Sequence, residues 1–110
     1  MTKDIKIGEV VVPMTATALS PIQYRQIFGE DLIKMAQTHA DDFGVDAYEM
    51  YAKLGFIFAK RAEGADLTKV TAQDFEAWVD QFGFVELCEA AADIALLYTS
   101  SSKGTAAPKK

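Results

Sequence analysis

The single histidine of the chain, His39, stands near Asp41 and Asp42, an arrangement in which a carboxylate can orient an imidazole as a general base. No nucleophile accompanies it. At the end of a helix a protonated histidine is favoured by the helix dipole, so His39 reads as a helix-terminus residue. The stretch "DDFGVD" carries acids and a glycine but lacks the alternating oxygen ligands and closing glutamate of a calcium loop. One cysteine, Cys88, excludes an internal disulfide, and one cysteine with one histidine makes no zinc ligand set. Cys88 falls on an apolar face with Phe84 and Ala91, where a thiol behaves as a small hydrophobe of the core. Trp78, Phe75 and Phe82 recur at helical spacing, as core residues do. With no glycine-rich phosphate loop, nucleophile elbow or meaningful carboxylate pair, no catalytic, cofactor-binding or metal-ligating residue is assigned, and a non-enzymatic role is expected.

Charge narrows the partners. The net charge of −5 is the sum of two unlike parts: residues 99–110 hold Lys103, Lys109 and Lys110 and no acid, leaving 8 basic against 16 acidic side chains in residues 1–98. An acidic body repels phosphate backbones, so nucleic acid is not an expected partner. The N-terminus lacks an apolar signal core, and every apolar run is broken well before the roughly 20 residues that span a bilayer. Neither secretion nor membrane insertion is expected, and a reducing cytoplasm fits the cysteine usage.

These residues need elements to position them. "KIGEVVVPM" is rich in β-branched residues around Gly8-Glu9 and predicts a hairpin. Ser20-Pro21 then predicts an N-cap and a first helical residue, with Gln23 placed for a capping box and Gly29 for the left-handed cap that closes a helix over 21–28. A second helix is expected over 30–40, its start favoured by Glu30 and Asp31. Asp46 and Glu49 have capping-box spacing ahead of a third helix over 47–63 that Gly64 ends. Thr71 caps a fourth over 72–82, and a fifth runs over 84–99. The fold class is thus mainly α, a small bundle of about five helices after an N-terminal β-hairpin. Residues 1–99 form one domain, and 100–110 read as a disordered polar tail.

Two of these helices carry more apolar surface than an ordinary surface helix. Projected on a wheel, the third shows a clean polar stripe only at Glu49, Lys53 and Lys60, and its apolar residues cover about 260° where somewhat more than 100° suffices. On the fifth, Glu86, Glu89 and Asp93 cluster on one side while Phe84, Val85, Leu87, Ile94, Leu96, Leu97 and Tyr98 occupy much of the rest. Either helix could be central and covered on all sides. Two such helices in so small a body favour a surface for self-association or for an apolar partner. Phe56, Leu96 and Leu97, beside the charged stripes, are the residues expected to stay uncovered, with Glu86, Glu89 and Asp93 as the charged part of the same partner-binding surface.

The succession "KIGEVVVPMTATALSPIQYRQIFGEDLIKM" resembles the N-terminal half of the small tail assembly chaperones of long-tailed, siphovirus-type bacteriophages of Gram-positive hosts. The likeness lies in the apolar-Pro-apolar step Val12-Pro13-Met14, the small residues Ala16 and Ala18, the pair Tyr24-Arg25, the corner Phe28-Gly29 and the helix start Asp31-Leu32. The alanine-rich "YAKLGFIFAKRA", the acidic aromatic "DFEAWVDQF" and a last helix before a polar tail extend it over nearly the whole body. The resemblance implies a protein that binds the tape measure protein, helps tail tube subunits gather around it in the host cytoplasm, and is absent from the finished virion. In that family a longer product often arises by frameshifting near the end of the short frame, and Pro108-Lys109-Lys110, whose lysine codons are adenine-rich, would be the place to look for it. A structural virion component, such as a connector or completion protein, and a bacterial helical adaptor are the alternatives. Homo-oligomers are expected from the broad apolar arcs.

Overall fold

The computed structural model describes residues 2–38 and 44–106, with side chains described as far as Thr99 in the last helix. The expectations for His39, Asp41 and Asp42 and for the end of the second helix lie outside the described residues. Strands β1 (Thr2–Ile7) and β2 (Val10–Thr15) form an antiparallel hairpin joined at Gly8-Glu9, followed by α1 (Ser20–Phe28), α2 (Leu32–Thr38), α3 (Val45–Glu63), α4 (Ala72–Val79) and α5 (Phe84–Ala106). The fold is mainly helical with five helices behind a hairpin, as the patterning predicts.

The hairpin register pairs Ile5 with Val12, Ile7 with Val10 and Lys3 with Met14, so one face carries Ile5, Ile7 and Met14 into the core. The opposite face, Asp4, Lys6, Val11 and Pro13, is exposed. Helix α3 is the axle of the molecule. It packs against β2, α1, α2, α4, α5 and a 3-10 turn at Leu67–Lys69. Every residue from Ala52 to Ala59 is buried. A helix that is apolar almost all round is one with neighbours on every side, and here the hairpin supplies the side that a plain bundle leaves open. Phe56, expected at the surface, is instead a core residue with no exposure, closed off from any partner by α1 and α4.

An aromatic chain fills the space between α1, α3 and α4. Phe28 lies edge-on to Phe75 at 5.2 Å, Phe56 meets Phe75 at 5.6 Å and Trp78 at 5.8 Å, and Trp78 meets Phe82 at 4.9 Å. These separations suit the edge-to-face preference of aromatic pairs. Glycine replaces bulk where α3 meets α5 and the hairpin: a Cβ on Gly55 would stand 2.8 Å from Ile94 Cδ1 and 3.5 Å from Met14 Cε.

The helix ends agree in part with their sequence signals. Gly29 and Gly64 close α1 and α3 in the left-handed region, with φ of 72° and 80°, which costs glycine no Cβ clash. Thr71 and Asp74 form a reciprocal capping box at α4. Ser20 does not cap α1. The helix begins one residue earlier, and the Ser20 hydroxyl instead accepts from the Thr17 amide at 3.2 Å. Nor do Asp46 and Glu49 make a capping box: α3 starts at Val45 behind Gly44, which places Asp46 inside the first turn. Asp31 takes the start of α2, accepting from the Lys34 amide at 3.1 Å. Helix α4 ends at Val79, and α5 continues through Ala106 into the stretch expected as tail.

Candidate functional site

The exposed face of α5 is the one broad apolar surface that the sequence reading located and the fold leaves open. Leu87, Ala90, Ile94 and Leu97 point into the core, and Leu97 is only 2% exposed. The expectation that Leu97 is uncovered is thus corrected: it lies on the same side of α5 as Ile94, three residues away, against the hairpin and α3. Leu96, the next residue, points the other way and is 59% exposed, as are Val85 at 59% and Phe84 at 63%. Glu86, Glu89 and Asp93 are exposed along the adjoining side. Of the six predicted partner-binding residues, Leu96, Glu86, Glu89 and Asp93 share this surface, and Phe56 and Leu97 do not.

Between Leu96 and α3 the surface dips into a hollow of about 230 Å³ lined by Tyr51, Cys88, Ala91, Ala92 and Ala95. Tyr51 forms the α3 wall, and the alanines form the floor because they are too short to fill the space. Cys88 is half-buried here and is not a core cysteine. The sequence reading missed Tyr51, Ala92 and Ala95. The signal was available: Cys88, Ala92 and Ala95 alternate four- and three-residue steps, the spacing of a helix-packing seam. The acids are not equivalent. The Glu86 side chain folds back over the hairpin turn, its Cγ lying 3.1 Å from where a Cβ on Gly8 would be, whereas Glu89 and Asp93 stand one turn apart farther along. None of the ion pairs among the described residues involves these three acids.

A second cluster has the residue types of an active site. Lys53, 7% exposed, donates to Glu30 Oε1 at 3.0 Å, pairs with Glu49 Oε2 at 3.2 Å, and lies 4.9 Å from the Phe28 ring centroid. The Tyr24 hydroxyl donates to the same Glu30 oxygen at 3.3 Å. Burial first, then the Glu30 charge and this hydrogen bond, hold the Tyr24 proton well above the ordinary tyrosine value. Each group is already engaged with another of the cluster, and the arrangement ties α1 and the start of α2 to α3. The Tyr-Arg helix and its Phe-Gly corner are therefore a joint in the scaffold. Arg25 stands at the surface, beside a shallow hollow it shares with Pro21, Ile22, Asp31 and Ile33.

A third hollow, about 350 Å³, lies between the end of α3 and α4, lined by residues that include Lys60, Asp74, Trp78 and Gln81. The Asp74 carboxylate is committed to the Thr71 amide at 2.9 Å, and Lys60 pairs with Glu63 at 3.4 Å. Among the described residues no group of three or more His, Cys, Asp and Glu side chains is placed to hold a metal ion, and no helix is long and apolar enough to cross a membrane. Compared with protein-family models, with curated proteins and with solved structures, the chain matches none.

Proposed function

We propose that this chain is a tail assembly chaperone of a long-tailed bacteriophage or prophage, a non-enzymatic protein that holds the tape measure protein and helps tail tube subunits gather around it. The observation that supports the reading best is the open face of α5: a strip of exposed apolar side chains beside acids that make no ion pair among the described residues, on a body whose other long helix is buried without a break from Ala52 to Ala59. A surface of this kind covers apolar segments of another protein, and its acids keep the free helper soluble and apart from nucleic acid. Several copies along one elongated client gain avidity without any single tight contact. Such a helper works in the host cytoplasm and leaves before the particle is complete. Self-association loses the α3 arc as a support. Besides the α5 face, a candidate for contacts between copies is the mixed patch of Ile22 and Ile33 with Arg25 and Asp31, whose opposite charges can pair across a two-fold axis.

The test is co-expression with a tape measure protein of a long-tailed phage. The client is expected to stay soluble and to co-purify with this chain, and the chain is expected to be missing from purified virions by mass spectrometry. A client that aggregates equally with and without the chain overturns the reading. A chain retained stoichiometrically in mature particles identifies a structural component instead.

A further inference from the structure

The open face of α5 has a shape, a length and a charge pattern, and together they specify an occupant. Val85, Cys88, Ala92, Ala95 and Thr99 step along it at three- and four-residue intervals, the seam spacing of paired helices. From Val85 to Thr99 the seam runs about 21 Å, roughly four helical turns. Its floor is alanine, so a second helix can approach to the near end of the 8–10 Å interaxial range. Tyr51 closes one side and Leu96 stands on the other, with Glu89 and Asp93 just beyond it. An occupant must therefore bring an apolar stripe for the seam and cations for one flank.

We infer that the α3–α5 groove takes an amphipathic helix of a partner protein, about four turns long, with an alanine- or leucine-rich stripe and lysine or arginine along the flank that meets Glu89 and Asp93. This rests on the proposed function and names the class of client segment that the chaperone would hold. Charge separates this occupant from its rivals. A second copy laid antiparallel by a two-fold axis would set each acidic edge against its own equivalent, and a parallel pairing would bring that edge to the Tyr51 wall, where the hollow is lined, among the described residues, by Tyr51, Cys88 and alanines and by no cation. An anionic membrane surface is repelled by the same acids.

The experiment titrates the full chain, labelled for NMR, with two synthetic helical peptides of about 20 residues, long enough to hold helix in water. Both carry one leucine/alanine stripe. One has lysines along the flank and the other glutamates. The lysine peptide is expected to shift the resonances of Cys88, Ala92, Ala95 and Leu96, and to bind at least about tenfold more tightly than the glutamate peptide. Leu96→Ser, and separately Glu89→Lys with Asp93→Lys, should each weaken the lysine peptide by about tenfold while the thermal midpoint stays unchanged. Equal binding of the two peptides, shifts centred on another face, no binding, or indifference to these variants overturns the inference. Failure here is distinct from failure of the proposed function. If the wild-type chain keeps the tape measure protein soluble and the α5 variants do so equally well, the chaperone stands and the groove falls. If the wild type does not keep it soluble, the chaperone falls while the titration still decides the groove.

Discussion

Gly55 is where the packing of this molecule can be tested most sharply. In a helix interior, Gly→Ala ordinarily stabilises by about 1 kcal/mol, because alanine loses less backbone entropy. At Gly55 the added Cβ would lie 2.8 Å from Ile94 Cδ1, against the 3.5–4.0 Å at which carbon atoms rest. Ile94 has no exposure and must retreat by roughly 1 Å into a filled core, an overpacking cost of about 1–3 kcal/mol. The two effects oppose each other, and the net expectation for Gly55→Ala is a loss of about 1 kcal/mol. Ile94→Val removes the offending methyl and on its own costs about 0.5–1.5 kcal/mol. In the double variant the alanine methyl occupies the space that Cδ1 vacates. The pair should then be about 1–2 kcal/mol more stable than the two single changes added together. Urea unfolding followed by far-UV circular dichroism measures all four corners of this cycle, and 1 kcal/mol corresponds to about 4–8 °C in Tm for a domain near this size. If Gly55→Ala stabilises by about 1 kcal/mol and adds simply to Ile94→Val, the close approach of α3 and α5 is wrong, and with it the packing of this side of α3 against Ile94 and Met14.

Two further outcomes follow from burial and from ionisation. Phe56→Ala should cost about 3–5 kcal/mol and Leu97→Ala about 2–5 kcal/mol, a large share of a domain's stability, whereas Leu96→Ala should change stability by less than about 0.5 kcal/mol; thermal melts of the three variants check the assignment of core and surface. For Tyr24 the folded-state proton affinity is raised above that of the unfolded chain, so its contribution is fully present below the ordinary tyrosine value of 10.0 and is lost as pH rises through the higher folded value. Stability should therefore fall as pH increases above about 10, with Tyr48 and Tyr98 contributing in the same direction through their burial. Tyr24→Phe should flatten this decline and cost about 0.5–1 kcal/mol at neutral pH, where the hydrogen bond to Glu30 is lost. Urea midpoints of both proteins across this range test it, and identical slopes would show that Tyr24 is not the buried, Glu30-bonded group described.

The residue pattern by itself determined much of the local structure of this protein, though not the helix starts expected at Ser20 and Asp46. Repeated β-branched residues about Gly8-Glu9 are enough for a hairpin, Thr71 for a helix start, and Gly29 and Gly64 for helix ends, because each of these depends on neighbours a few positions away. It also placed Glu86, Glu89, Asp93 and Leu96 on one open side of α5, since helical periodicity carries that much. Which apolar residues are spare was decided only in three dimensions. Phe56 and Leu97 stand beside the charged stripes of their helices just as exposed residues would, and they are buried because α1 and α4 close over Phe56 while α3 and the hairpin close over the core side of α5, long-range contacts that no window of sequence contains. Periodicity gives the direction in which a side chain points along its own helix; whether anything waits there depends on the other elements, and on this chain that difference separates the core from the open face of α5.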